Sequence, residues 1–399
     1  MDSAVRLSAR PSILQRVKGF LFDAASRPFV LVSMMMGYVY FLIVLNRWIV
    51  TPLGLRSFGR VWQFYANYQD FGFGRRALLG TILSITKVNH LFQNEYIFAH
   101  VFIAFLAFLI SLSLYALLKD SRLSRAAILG IAFSPSLLSH FAYAPDNFDP
   151  LTFLLALLAA FCSGNIYVLA AISFAGTLAH ELFIFYIPTV IVLFWIQGGK
   201  RLEGYERVKL AYPIVAGLLA YLAIKFLSAP PLDEAKYEAI VAAKLPLAAH
   251  NHNFWSGYWE RYSTLMENYV GTKRTFALVI DPRNFGWEAI PLAYMLLAAV
   301  IALRSVGKED SVGRRLSAVA IAFPLLITPI ATDFYRWPCL SANAALLIIV
   351  QSARKGEWRM SHAEAGGLLA FCLFAPFGCY PLDRPFPLHQ FIGEKLFFR

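Results

Sequence analysis

The chain has 399 residues, of which 58% are hydrophobic and only 15% charged, with a mean hydropathy of +0.57. Soluble domains carry roughly a quarter charged residues, so two or three soluble domains are excluded. A net charge of +12 would suit a nucleic-acid binder, but the lysines and arginines sit between apolar blocks, where they orient a chain in a bilayer instead.

The blocks are too long for the strands of about ten residues found in outer-membrane barrels. The expected fold is all-α: one integral-membrane domain over residues 1–399, a polytopic transmembrane helical protein. Residues 1–27 are basic and polar (Arg6, Arg10, Arg16, Lys18, Arg27) and read as a cytoplasmic tail, with no cleavable signal peptide expected. Spans are then predicted at Phe29–Val50, Ile97–Leu118, Arg125–Tyr143 and Leu151–Phe161. Further on they fall at Leu210–Leu227, Ile290–Leu303, Leu316–Ala331, Cys339–Val350 and Gly367–Tyr380.

The block Ile166–Gln197 needs separate treatment. As one helix it would be roughly 48 Å long, against a hydrocarbon core of about 30 Å. His180 and Glu181 lie near its middle, so it is split into two short helices with that pair at the turn. The split gives about eleven spans and passes a charge test. It puts Lys119–Arg125, Lys200–Lys209, Arg304–Arg315 and Arg354–Arg359 on the side of the basic amino terminus, as the positive-inside rule requires. Two long loops remain outside, 51–96 and 228–288. The first contains an amphipathic stretch, Arg76–Phe92, suited to the membrane surface. The second contains two short helical segments, Asp233–Leu245 and Tyr258–Tyr269, separated by Pro246 and His250–Asn253.

In this topology the polar motifs share the outer face. They are Asp70 with Arg75 and Arg76 (YQDFGFGRR), Asp146 and Asp149 (APDNFDP), His180–Glu181 (AHELF), His250 and His252, Asp281 with Arg283, and Asp333, Tyr335 and Arg336 (TDFYRW). Ionisable groups at membrane depth are costly and tend to mark function. Each also admits a structural reading. Asp70 can cap a helix or pair with Arg75 or Arg76. APDNFDP can be a proline-bounded turn, and His180–Glu181 a pair between helices. His250 and His252 read as solvated loop residues, and Trp255, Tyr258, Trp259 and Tyr262 as an interfacial belt.

Several chemistries are unsupported. His180–Glu181 is not part of an HExxH zinc motif. No Walker, GxGxxG or GxSxG pattern occurs, and Cys162, Cys339, Cys372 and Cys379 form no CxxC pair.

On these motifs and this architecture, the chain resembles the GT-C superfamily of integral-membrane glycosyltransferases. The likeness covers most of the chain: a cytoplasmic amino terminus, a long first outer loop with an acid, short helices round an outer cavity, and a large later loop. It implies transfer of a sugar from a polyprenyl phosphate or diphosphate donor to a lipid-linked or glycan acceptor, at the outer face of a bacterial inner membrane. It implies a catalytic role for Asp70, with Asp146 and Asp149 as the second acidic motif and His180–Glu181 at the mouth of a later helix. Many family members have two adjacent acids where Asp70 stands between Gln69 and Phe71. The segment QDFGFGRRALLG is also similar to bacterial membrane proteins linked to surface polysaccharide.

Within that resemblance Asp70 is the expected general base. Arg75, Arg76 and Arg336 are expected to bind donor phosphate by charge-assisted contacts. Asp146, Asp149, His180 and Glu181 complete the candidate binding residues, with a divalent cation (Mg or Mn) as a candidate cofactor. The expected partners are a lipid-linked sugar donor and membrane lipids, with no nucleic acid. A transporter or flippase of lipid-linked sugars and an oligosaccharide polymerase are the alternatives.

Overall fold

The computed structural model describes residues 27–44, 61–143, 148–198, 203–230, 232–245, 282–330, 336–356 and 358–374. All regular secondary structure among them is helical. Three helices, Glu95–Lys119, Arg207–Leu227 and Ser311–Thr328, are long and apolar enough to cross a membrane; several others are apolar but shorter.

The first helix, α1 (Pro28–Val44), is followed by two small helices of the first long loop, α2 (Tyr68–Phe71) and α3 (Leu78–Ile85). Helix α4 (Glu95–Lys119) starts where Asn94 accepts hydrogen bonds from the amides of Tyr96 and Ile97, with Glu95 and Lys119 complementing its dipole. Phe98, Ile103, Leu106, Ile110 and Leu114 are buried, whereas Ile97, Val101, Phe105, Phe108 and Leu112 form an exposed apolar stripe. A soluble helix would carry polar residues there. The predicted amphipathic stretch likewise leaves Ile82, Ile85 and Leu91 exposed.

Arg125–Tyr143, predicted as one helix, is broken into α5 (Arg125–Ala132), a π turn over Pro135–Ser139, and α6 (His140–Tyr143). Pro135 lacks an amide hydrogen and its ring clashes with the preceding turn, so a regular helix cannot run through it.

Helices α7 (Asp149–Phe161) and α8 (Ile166–Ala179) follow. At His180 the backbone is extended (φ −155°, ψ 124°). A 3₁₀ turn over Glu181–Tyr186 then leads into α9 (Ile187–Gln197), with Pro188 in its first turn. Gly176 makes room for this reversal, because a Cβ there would sit 2.6 Å from the Phe183 ring. The amide of Gln351 donates to both Ser163 Oγ (2.9 Å) and Gln197 Oε1 (3.0 Å). The start of α8 and the end of α9 therefore meet, and the chain doubles back at His180–Glu181.

Among the described residues the later helices are α10 (Tyr212–Leu227), α11 (Glu234–Lys244), α12 (Pro282–Ser305), α13 (Ser311–Ala322), α14 (Arg336–Lys355) and α15 (His362–Phe374). Helix α14 is buried from Arg336 to Ala353 and packs against α9, α12 and α13. It is the central post of the bundle.

Cross-chain contacts define two ends. At one, the Gln351 bonds are joined by Arg122 Nη1 donating to the Gly356 carbonyl (3.5 Å) and Trp195 Nε1 donating to Asp310 (3.1 Å). Lys119, Arg125, Arg304, Lys308, Arg354 and Lys355 cluster in the same turns. At the other end, Ala229 N donates to the Phe73 carbonyl (2.7 Å), and the first long loop meets α11 through Phe71 and Tyr237 and the start of α7 through Phe64 and Phe148. Helices α7, α9 and α14 run from that end to the basic one.

Candidate functional site

Asp70 lies in the short helix α2. Asn67 is its N-cap: the side-chain oxygen accepts from Asp70 N (2.9 Å), and its amide donates back to Asp70 Oδ2. The first bond is an ordinary N-cap; the second ties the two side chains together and holds the Asp70 carboxylate over the start of the helix. The same Oδ2 is paired with Lys244 Nζ from the last turn of α11. Both side chains are about a quarter exposed (24% and 27%), so water screens the pair. The sequence offered Arg75 and Arg76 as partners for Asp70; Lys244 takes that place.

The two arginines go elsewhere. After Gly72 and Gly74 the chain turns so that Arg76 adopts a left-handed backbone (φ +61°), which costs a residue with a Cβ about 1–2 kcal/mol. The buried Arg76 guanidinium donates to Glu181 Oε1 through Nη2 (2.8 Å) and Nε (3.2 Å), and Arg75 Nη2 is paired with the same oxygen. Two guanidiniums on one carboxylate leave a surplus of positive charge, as an anion-binding site requires.

His180 is fully buried beside them. Its Nδ1 accepts from Leu182 N (3.1 Å) and so carries no proton in this geometry. Glu181 Oε2, also an acceptor, lies 3.6 Å from that nitrogen. The His–Glu pair is therefore adjacent without being hydrogen-bonded. His180 Nε2 is buried with no hydrogen-bond partner among the described residues, and the ring meets Phe148 edge-on at 6.0 Å.

Phe148 leads into Asp149, which forms a bidentate pair with Arg336: Nε to Oδ2 at 2.6 Å, and Nη2 to Oδ1. Both side chains are only 4% exposed. Asp149 suits the positive end of the α7 dipole, whereas a cation at the start of α14 opposes that helix's dipole. The carboxylate compensates Arg336, and Trp337 adds a face at 5.7 Å.

Below this pair is a cavity lined by Asp149, Tyr186, Asn343 and Ser136, with room for about one or two waters. A chain of buried polar groups continues from it. Asn343 Nδ2 donates to Tyr186 OH (3.4 Å), Ser136 Oγ to Asn343 Oδ1 (2.7 Å), and Ser134 Oγ bonds both Ser136 Oγ (2.9 Å) and Tyr294 OH (2.6 Å). Sequence reasoning missed this network and Lys244. The available signals were the Ser134-Pro135-Ser136 triplet and a lone Asn343 in an apolar block.

Of the predicted site residues, Asp70, Arg75, Arg76, Asp149, His180, Glu181 and Arg336 thus gather at one end of the bundle, in three charge clusters. Asp70 and the two arginines share one short loop, and Phe148 links His180 to Asp149. Asp146, His250, His252, Asp281, Asp333 and Tyr335 lie outside the described residues. Among the described residues no three His, Cys, Asp or Glu side chains come together as a metal site; Asp149 and Glu181 are both engaged by arginines. No family model, curated protein or solved structure matches this chain.

Proposed function

We propose that this protein is a membrane glycosyltransferase of the GT-C type, moving a sugar from a polyprenyl phosphate or diphosphate donor to a lipid-linked or glycan acceptor at the outer face of a bacterial inner membrane. The observation that carries the reading is the gathering of acids and guanidiniums at one end of an apolar bundle, opposite the basic end. The positive-inside rule makes that basic end cytoplasmic. With the shorter helices counted, the chain crosses about eleven times.

In this reading an acceptor hydroxyl attacks the anomeric carbon, Asp70 takes its proton, and the bond from that carbon to the phosphate oxygen breaks. Arg75 and Arg76 receive the phosphate in place of part of their contact with Glu181. Asp149 and Arg336 hold α7 and α14 in register beneath the site. No step is assigned to a metal.

A flippase would need a polar path through the bundle, alternately opened to both sides. Along α14, Ala344–Val350 are apolar and buried between Asn343 and Gln351, which favours a one-sided enzyme. An oligosaccharide polymerase uses the same donor chemistry and is the nearest alternative.

The test is transfer from a panel of radiolabelled polyprenyl-phosphate sugars by membranes containing wild-type or Asp70→Asn protein. A general base contributes roughly 10²–10⁴-fold in rate, so the variant should fold, bind donor and lose transfer by that factor. Near-normal transfer would remove Asp70 as the base, and no transfer by wild type across the panel would remove the reading.

A further inference from the structure

The pairing of Asp70 with Lys244 gives the site a way to respond to its own donor. Helix α11 is anchored without that ion pair. Tyr237 and Val241, on the same face as Lys244, are buried against the first long loop, with the Tyr237 and Phe71 rings 6.0 Å apart. Leu245 closes a small crevice with Trp62 and Tyr65. Upstream of the helix, Ala229 N is bonded to the Phe73 carbonyl, and Gly72 (φ +72°) touches the Ala229 methyl so closely that no side chain fits. Lys244 is therefore a long flexible arm on a fixed support. Its ammonium can leave Asp70 by rotating side-chain bonds, without moving the helix.

We propose that Lys244 is a donor-responsive switch: with the site empty it occupies the carboxylate of Asp70, and on donor binding it moves to the phosphate and releases that carboxylate. This rests on the glycosyltransferase reading and extends it to a residue outside the candidate set. The chemistry favours the exchange. The ammonium sits on the carboxylate oxygen that an acceptor hydroxyl would have to approach, and a phosphate with at least one full charge, drawn to Arg75 and Arg76, competes for the same cation. The base is then bare only while the donor is bound.

If donor and Asp70 compete for Lys244, removing the carboxylate should tighten donor binding, and only through Lys244. The full-length protein in phosphatidylcholine nanodiscs is titrated with a polyprenyl monophosphate, with phosphatidylglycerol as the competing anionic lipid. Asp70→Asn should bind roughly two- to fivefold tighter, the size of a partly exposed ion pair. Lys244→Gln should bind about fivefold weaker, Lys244→Arg should restore affinity, and Lys236→Gln, on the exposed first turn of α11, should change nothing. In a Lys244→Gln background, Asp70→Asn should have no effect. Unchanged affinity in Asp70→Asn would overturn the switch. So would equal tightening with and without Lys244, since that is simple removal of a repelling charge. If wild type does not prefer polyprenyl phosphate to phosphatidylglycerol, the donor assignment itself fails, and the switch with it.

Discussion

The two ends of the bundle hold their charges in opposite ways. At the basic end most of the described cations are exposed and loosely held, Arg354 being half-buried against Gln351. Arg304 is 63% exposed while paired to Glu364 at 2.9 Å, and the Arg122 guanidinium reaches only a backbone carbonyl, at the limit of a hydrogen bond. At the other end Arg76, Asp149 and Arg336 are buried, Glu181 is only 12% exposed, and all four are tightly paired. Solvated cations of the first kind suit orientation in a bilayer, where their number matters more than their geometry. Buried pairs need their partners in place, because an unpaired buried charge is heavily penalised. The contrast separates exposed, weakly held charges from buried charges held in fixed pairs.

Breaking the Asp149–Arg336 pair should have the largest effect on stability. Arg336→Met leaves Asp149 buried and uncompensated, which should cost about 3–5 kcal/mol in denaturation measured in detergent. Adding Asp149→Asn should recover much of that loss; additive losses would show that the two residues act separately. Next comes Glu181→Gln, which strips two guanidiniums of their shared carboxylate. The expected cost is about 1.5–3 kcal/mol, chiefly through the buried Arg76, and a shift below half a kcal/mol would mean that solvent already supports both arginines. Gly72→Ala should cost at least about 1–3 kcal/mol, through a backbone (φ 72°, ψ 171°) that only glycine adopts readily and a clash of the added methyl with that of Ala229, and should raise protease cutting between the first loop and α11. At the basic end Arg304→Gln should cost at most about 1 kcal/mol. Glu364 keeps its hydrogen bonds to the amide and hydroxyl of Ser361, so a larger loss there would erase the contrast between the ends.

Much of the helix pattern was legible in the sequence, because apolar runs and caps act locally. The span predicted at Ile97–Leu118 is realised as Glu95–Lys119, and the surface segment Asp233–Leu245 as Glu234–Lys244. The reversal at His180 followed from a length no bilayer core accommodates, supported by the charge of the next loop. The break at Pro135 was equally local and was missed, because hydropathy outweighed the proline. The pairings were not legible. Arg336 meets Asp149 across 187 positions and Lys244 meets Asp70 across 174, and nothing local selects among the cations of a chain with 36 lysines and arginines. For Asp70 the nearby Arg75 and Arg76 were the natural candidates, but the turn at Gly72–Gly74 carries them toward Glu181.

The account stands on the two ends facing opposite sides of a membrane, and cysteine accessibility reads that directly. In a background with Cys162, Cys339, Cys372 and Cys379 replaced, single cysteines are placed at Glu203, in the turn between α9 and α10, and at Lys236 on α11; both positions are exposed. A membrane-impermeant maleimide applied to intact cells should label Lys236→Cys and leave Glu203→Cys unlabelled until the membrane is opened. Labelling of both positions from the same side would contradict the reversal at His180 and separate the charge clusters from the face on which the proposed lipid-linked donor would be met.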